Sequence, residues 1–409
     1  MNCRFCNATL NKVFVDLGES PPSNSFLNAN DINKPEAKYP LKVFVCENCF
    51  LVQIGELKKA TDIFSNEYAY FSSFSTTWLA HARQYVEMMT ERFHLNQKSK
   101  VIEIASNDGY LLQYFKQHNI PVLGIEPTAN TAKVAIEKGI DTITDFFGVA
   151  LASKLDNESK KADLLLGNNV LAHVPDINDF VKGLKLALNP TGVITMEFPH
   201  LVQLVENFQF DTIYHEHFSY LSFSVVCKIF SKHELEMFDV EEIPTHGGSL
   251  RIYAKHKEES SKQTTIKVAQ LLGKENKLGV NTLAYYTNFQ QKIDTIKISF
   301  LRFLIESKKQ GKKVCGYGAA AKGNTLLNYC DITPDLISFI ADASPYKQGK
   351  YMPGSMIPIL SEQQIKDTHP DYIIIFPWNI KDEIIGQLSY IRGWNGQFVV
   401  AIPEFRIIA

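Results

Sequence analysis

Tyr214-His215-Glu216-His217 is the densest run of chemically capable side chains in the chain, and Phe218-Ser219-Tyr220 follows it directly. Imidazole titrates near neutral pH, and a neighbouring carboxylate can orient it or raise its basicity, so general acid/base work is one use of such a tetrad. A metal site is a second use, since one glutamate and two histidines are good ligands. However, H-E-H lacks the helical i, i+4 spacing of H-E-x-x-H, and residues 215 and 217 share a face only on a strand. A structural hydrogen-bonding cluster is the third. Two further histidines sit where strands are expected to end: His173, in Val170-Leu171-Ala172-His173-Val174-Pro175-Asp176, and His200, after Glu197-Phe198-Pro199. His246-Gly247-Gly248-Ser249-Leu250-Arg251 reads as a tight turn entering a strand, either an ordinary turn or one whose Arg251 pairs with a phosphate.

Four of the seven cysteines form two pairs of identical spacing, Cys3-x-x-Cys6 and Cys46-x-x-Cys49. Two such turns present four thiolates as a tetrahedron, which suits zinc, and four protein ligands leave no open position for catalysis. A structural zinc is therefore expected. Lys12 to Val15 and Leu41 to Val45 are the strands expected to carry the turns. The loop between them contains Pro21-Pro22-Ser23-Asn24-Ser25-Phe26.

Positioning the histidines requires alternating strands and helices. Val101 to Ala105 reads as a buried parallel strand, Ser106-Asn107-Asp108-Gly109 as a turn, Tyr110 to His118 as a helix, and Pro121 to Ile125 as a second strand ending at Glu126-Pro127. This is the opening of a doubly wound fold, in which an acidic residue ending the second strand accepts hydrogen bonds from ribose hydroxyls. The turn is not G-x-G-x-x-G. It resembles the acidic first motif of S-adenosylmethionine (SAM)-dependent methyltransferases, with Glu103 on the strand. A sulfonium cofactor has no pyrophosphate to cradle, which fits a loop poor in glycine. Asp145-Phe146-Phe147 would place a carboxylate near the adenine amine, and Asn168 and Asn169 would emerge at the cofactor end of a strand from Asp163.

Beyond a helical connector from about Leu283 to Gln310, a second strand–turn–helix unit begins at Lys313-Val314-Cys315-Gly316-Tyr317-Gly318 and Ala319-Ala320-Ala321-Lys322-Gly323-Asn324-Thr325. Small residues there bring backbone N–H groups and a helix N-terminus near an anion. Strands follow at Ile337 to Ile340, with Asp342 just past its end, and at Tyr372 to Phe376. The fold class expected is α/β. A small N-terminal zinc-binding β motif (1–65) precedes a central Rossmann-like methyltransferase domain (66–260) and a C-terminal second Rossmann-like domain (261–409).

Composition narrows the partners. Forty-two Lys plus Arg against 44 Asp plus Glu leave a formal charge of -2, and the Lys308, Lys309, Lys312, Lys313 run is short and broken, so nucleic acid and membrane surfaces are not expected partners. No apolar run approaches a membrane span, and the N-terminus lacks the apolar core of a signal peptide, so a cytoplasmic location is expected.

Taken together these motifs resemble the bacterial sugar C-methyltransferases that act on nucleotide-linked keto-deoxyhexoses. The resemblance runs through Cys3, Cys6, Cys46 and Cys49, the turn Glu103 to Gly109, and the segment Tyr214 to His217. It continues through Gly316 to Asn324, Gly349-Lys350-Tyr351-Met352-Pro353-Gly354 and Ile357-Pro358. It implies a SAM site at Glu103, Ala105, Ser106, Asn107, Asp108, Gly109, Glu126, Pro127, Asp145, Phe146, Asn168 and Asn169. It also implies a catalytic set with His217 as base, helped by Tyr214, Glu216, His173 and Tyr68. The substrate set is Tyr70, Ser72, His200, His215, Arg251, Gly318, Ala319, Lys322, Asn324 and Asp342. The tyrosine pair lies in Tyr68-Ala69-Tyr70, before Ser72-Ser73. The implied reaction removes a proton alpha to a 4-keto group, on a sugar most often carried by thymidine diphosphate, and methylates the enolate. A monomer is implied. Two rivals remain at this point: a nicotinamide-dependent sugar-nucleotide oxidoreductase using the Gly316-Tyr317-Gly318 turn, and a binding protein retaining an inactive methyltransferase fold.

Overall fold

The structure, a computed structural model, describes residues 1–55 and 71–408. The chain divides into two compact units, each assembled from three segments. One takes Met1–Leu10, Cys46–His200 and Phe218–Tyr285; the other takes Asn11–Val45, Leu201–His217 and Tyr286–Ala409. Along the chain, β1 (Lys12–Ser20) and β2 (Tyr39–Val45) form an antiparallel hairpin belonging to the second unit, with Lys12 opposite Val45 and Ser20 opposite Tyr39. Leu41, Val43 and Val45 turn inward at the strand period of two. Among the described residues no helix is long and apolar enough to cross a membrane.

In the first unit, β3 (Val52–Ile54) pairs antiparallel with β9 (Ser219–Tyr220). The main sheet runs β4 (Val101–Ile104), β5 (Val122–Ile125), β6 (Thr142–Ile143), β7 (Ala162–Asn168), β8 (Leu188–Pro199), β10 (Leu235–Ile243) and β11 (Ser249–His256) along the chain. Its spatial order is β10-β11-β8-β7-β4-β5-β6. The strands from β4 to β8 are parallel, and β11 and β10 close the edge antiparallel. The order reverses between β4 and β7, and in such sheets a ligand sits beyond the carboxyl ends at that reversal. The Thr76–Arg92 helix covers one face through Ala82, Tyr85, Val86 and Met89, spaced to share one helical side, against Val101, Leu164 and Leu166. The Ser75 hydroxyl caps it by accepting from the Trp78 N–H.

The second unit holds a six-stranded sheet of β12 (Val314–Tyr317), β13 (Ile340–Ala341), β14 (Ile359–Leu360), β15 (Tyr372–Ile375), β16 (Gln397–Val400) and β17 (Arg406–Ile408), ordered β14-β13-β12-β15-β16-β17. All neighbours are parallel except β17 on β16. The expected connector helix starts later than its sequence suggests. Leu283–Tyr286 is a separate 3₁₀ turn, and Asn288 in a left-handed conformation (φ 69°) restarts the chain into Phe289–Lys309. The Leu201–His217 segment belongs to this unit and is anchored at its Phe210–Thr212 turn. There the Thr325 hydroxyl, on the Ala321–Tyr329 helix, donates to the Ile213 carbonyl at 2.8 Å, and Trp378 Nε1 donates to Asp211 Oδ2 at 2.7 Å. Complete burial pushes Asp211 up to about 6, against the pull of Lys322 and Trp378. Burial likewise holds Lys322 below its usual range, opposed by Asp211.

Two outcomes follow from this packing. Gly109 has φ +73°, and a Cβ there would stand 2.4 Å from Ile140 Cδ1. Gly109→Ala should lower the unfolding free energy by about 1–3 kcal/mol in urea titrations. Asp211 takes up its proton more tightly in the folded than in the unfolded chain, so its stabilising contribution is complete below pH ~4 and lost as pH rises through about 6. Asp211→Asn should therefore gain stability relative to the parent between pH 4.5 and 7.5, by something on the order of 1–3 kcal/mol in paired unfolding curves.

Candidate functional site

The four predicted metal ligands converge. Their sulfurs lie within 4.8 Å of one another, with Cys3 and Cys49 3.5 Å apart and Cys6 and Cys46 3.5 Å apart. A tetrahedral ion with Zn–S bonds of about 2.3 Å needs sulfur separations of about 3.8 Å, so the cluster fits zinc. Each turn closes with a backbone bond to its first cysteine: Asn7 N–H to the Cys3 carbonyl and Phe50 N–H to the Cys46 carbonyl, with Asn7 (φ 62°) and Phe50 (φ 67°) both left-handed. A hydrogen bond from the Cys49 thiol and one from Gln53 Nε2 at 3.1 Å hold the Cys3 thiol below the usual range. The same bond, with burial, pushes the Cys49 thiol up.

At the carboxyl ends of β4, β5 and β7 the predicted donor-binding residues meet. Ala105 (φ 56°), Asn107 (φ 50°) and Gly109 (φ 73°) fold the turn back on itself. Glu126 is buried and accepts from the Asn107 N–H (2.8 Å) through one oxygen and from the Thr128 N–H (2.9 Å) through the other. The Thr128 hydroxyl also donates to it, so of about four acceptor positions one remains for a ligand hydroxyl. Burial raises Glu126, and raises Glu103 well above its ordinary range, with Glu126, Asp108 and Glu197 adding repulsion at Glu103. Glu103 is wholly enclosed beneath the turn, as is Ser106, which packs against Gly124. Asn107 Oδ1 accepts from the Ser72 N–H at 2.9 Å, and Asp108 Oδ2 from the Ser73 N–H at 3.4 Å. These two side chains therefore hold the incoming chain, and Ser72 reaches this site by its backbone. Asn168 is the best sign of a ligand: only 8% exposed, it has no hydrogen-bond partner on either amide atom among the described residues. Asn169 (φ 56°) turns its Nδ2 to His246 Nε2 at 2.8 Å. Pro127 is half-buried, Asp145 caps the Phe146 N–H, and Phe146 is 41% exposed.

Two predicted substrate residues in this unit are committed elsewhere. Arg251 is buried, with Nε and Nη2 each 2.7 Å from Glu197 and Nη1 3.0 Å from Glu241. The antiparallel register sets Arg251 opposite both carboxylates, so no free guanidinium face is presented to a phosphate. His200 is also buried. Its Nε2 lies 2.7 Å from Glu275, whose carboxylate also accepts from the Phe223 and Ser224 N–H groups. Glu275 thus holds one nitrogen of the ring, while the buried Nδ1 has no partner among the described residues. His173 ends a 3₁₀ turn just past β7 and is half-buried. Tyr68 and Tyr70 lie outside the described residues.

Sequence reasoning missed a neighbouring group. His81 Nε2 stands 2.7 Å from Glu197, and its ring stacks on Trp78 at 4.9 Å. Trp78 also lies 5.9 Å from Tyr110 and 5.2 Å from His246. Burial pushes Glu197 up, but His81 and Arg251 outweigh it and the group ends below its ordinary range. The signal was available: positions 78, 81 and 85 recur at helical spacing on one face.

The tetrad lies in the second unit, and its rings are individually held. His217 Nδ1 donates to the Thr212 carbonyl at 2.9 Å, which leaves Nε2 as the acceptor, 2.8 Å from the Tyr214 hydroxyl. Glu216 was expected to orient this ring. The Thr212 carbonyl does so, while Glu216 is buried and accepts from Asn24 Nδ2 at 3.3 Å. His215 turns the other way, donating from Nε2 to the Tyr39 carbonyl at 3.2 Å. In the same unit, Asp342 accepts from the Ala319 and Ser344 N–H groups, and Gly318 (φ 87°) packs on Pro377. Asp342 thus braces the turn through two backbone amides. Lys322 donates to Asn379 Oδ1 at 2.6 Å and lies 4.6 Å from the Trp378 ring centre. Asn324 is 0% exposed with neither amide atom partnered.

Comparison with known proteins agrees with these clusters in order. Three family models match: "Putative zinc binding domain" over residues 3–64, "Methyltransferase domain" over 78–240, and "C-methyltransferase C-terminal domain" over 244–403. C-methyltransferase NovU of Streptomyces niveus is 33% identical over 407 residues, covering 100% of this chain and 96% of NovU. The ubiquinone biosynthesis O-methyltransferase of Bartonella tribocorum is 25% identical over 126 residues, 30% of this chain and 51% of that protein. Among solved structures, a SAM-dependent methyltransferase from Anabaena variabilis aligns with TM-score 0.37 and 15% identity, covering 50% of this chain and 99% of that one. Magnesium protoporphyrin IX methyltransferase from Synechocystis with bound S-adenosylhomocysteine aligns with TM-score 0.34 and 14% identity, over 43% and 81%. With a full-length relative at one-third identity and a zinc-fitting cysteine cluster ahead of the methyltransferase sheet, the chain belongs to the C-methyltransferase family and is a SAM-dependent C-methyltransferase.

Proposed function

We propose that this enzyme methylates a nucleotide-linked 4-keto-deoxyhexose at the carbon alpha to the ketone, with His217 as the base. The observation that carries the reading is the pair of hydrogen bonds at that ring. Thr212 fixes the proton on Nδ1, so the lone pair of Nε2 faces the Tyr214 hydroxyl. An unactivated sugar C–H is not acidic, but a ketone next to it makes the proton removable as an enolate. An imidazole with its proton already placed on the far nitrogen is what that step requires. Tyr214 stands in the proton path: its oxygen takes the substrate proton as its own passes to Nε2. The imidazolium that forms keeps its Nδ1–H on Thr212. His173 is assigned to the ketone oxygen, where a donor stabilises the developing charge.

SAM supplies an electrophilic methyl on a sulfonium. Glu126 would hold a ribose hydroxyl and Asn168, with two unpartnered buried atoms, would supply both a donor and an acceptor. Lys322 and Asn324 are assigned to the sugar nucleotide: a lysine held over an indole and a buried amide suit phosphate and a polar ring edge. The nucleotide-sugar class rests on the motif resemblance at Gly316 to Asn324 and Tyr214 to His217.

Incubation with SAM and a panel of 4-keto sugar nucleotides, read by mass spectrometry, should show a product heavier by one methylene; no such product from any keto sugar would remove the substrate assignment. His217→Asn should lower kcat by roughly 10²- to 10⁴-fold while leaving SAM affinity, read by calorimetry, nearly unchanged. Tyr214→Phe should lower kcat as well, because it removes the hydroxyl that takes the substrate proton and passes its own to Nε2. A His217→Asn protein with undiminished turnover would rule out the base.

A further inference from the structure

The zinc-fitting turns do more than close on themselves. Arg4 lies between the ligands Cys3 and Cys6, and its guanidinium reaches two backbone carbonyls from different parts of the first unit. Nη1 donates to Pro175 at 2.7 Å and Nη2 to Ile54 at 2.6 Å. Its Cζ also lies 5.3 Å from the centre of the Phe218 ring. Pro175 is two residues beyond His173, and Phe218 is the residue after His217. A second tether runs beside the first: Asn178 Nδ2 donates to the Arg4 and Phe5 carbonyls, each at 3.0 Å, and His233 Nε2 donates to Asn178 Oδ1 at 2.9 Å.

The ribbon also acts through its strand. Gln53 accepts from the Arg4 N–H at 2.9 Å and donates to Cys3 Sγ at 3.1 Å, so β3 is tied to the metal turn. β3 in turn pairs with β9, Gln53 opposite Ser219, and the Ile54 N–H donates to the Phe218 carbonyl. A planar guanidinium with donors in a fixed fork holds two carbonyls at a set separation, which a lysine cannot do. We infer that Arg4 is a positioning residue: it transmits the geometry of the metal turn to the loop after His173 and to the backbone immediately after His217. This rests on the roles given to those two histidines under Proposed function. A group misplaced by about 1 Å, even by a change far from the chemistry, can cost on the order of a hundredfold in rate.

The test uses the full-length, zinc-loaded enzyme and the variants Arg4→Gln, Arg4→Lys and Asn178→Ala. Zinc content is measured by release to a chromogenic chelator, S-adenosylhomocysteine affinity by calorimetry, and backbone protection by hydrogen exchange. In Arg4→Gln, zinc content and affinity should stay at parental values. Amides in 171–176 and 218–220 should exchange faster, and kcat should fall by roughly tenfold or more with KM unchanged. Arg4→Lys should recover only part of the loss, and Asn178→Ala should loosen 171–176 without loosening 218–220. Parental exchange and kcat in Arg4→Gln would overturn the assignment, as would a loss of rate that only follows loss of zinc. Failure of the base assignment is read separately, from His217→Asn in a chain with Arg4 intact.

Discussion

A backbone carbonyl can only accept a hydrogen bond, and that one-sidedness organises the tetrad. Because the Thr212 carbonyl meets His217 Nδ1, the proton must be on that nitrogen, and in the neutral ring the lone pair faces Tyr214. The constraint depends in turn on the Phe210–Thr212 turn staying in place. Trp378 Nε1 on Asp211 and the Thr325 hydroxyl on Ile213 keep it there, both from the C-terminal part of the chain. The ring that carries the proposed chemistry is thus oriented by main chain, and the main chain is held by side chains more than a hundred residues away.

The same logic, in which polar groups are assigned to partners before a ligand arrives, separates the rest of the polar inventory. Arg251 is chemically suited to a phosphate yet is saturated by two carboxylates, Asp342 spends both oxygens on backbone amides, and His200 gives only its Nε2 to Glu275. Asn168 and Asn324 are the opposite case: deeply buried amides with no partner on either atom among the described residues. Leaving such atoms unmade costs roughly 1–3 kcal/mol each, a cost that a ligand bonding to them would offset. The two kinds of residue look alike in sequence, and burial with or without a partner tells them apart.

Charge pairing across the first sheet shows how the saturated residues contribute. Glu241, Arg251, Glu197 and Asn168 fall in register on four adjacent strands, and His81 joins from the covering helix. Two carboxylates flank one guanidinium, and the histidine offers the balancing donor. These pairs tie the carboxyl end of β8 to β11, β10 and the covering helix, beside the unpartnered Asn168 on β7. Sequence distance hides it: its members span positions 81 to 251.

By itself the sequence determined the local matters. The C-x-x-C pairs, the Glu103 to Gly109 turn, the acidic end of β5 and the strand–turn–helix at Gly316 depend on spacing along the chain, and spacing survives without a fold. The order of zinc motif, methyltransferase sheet and C-terminal α/β sheet was legible for the same reason. What the tertiary structure decided was partnership: Arg251 with two glutamates, His200 with Glu275, His217 with a carbonyl in place of Glu216, and Arg4 with carbonyls at 54 and 175. It also decided that β1, β2 and the Leu201–His217 segment join the C-terminal part in one compact unit. Hydrogen bonds and ion pairs act over about 3 Å, and only the folded chain determines which distant residues come that close.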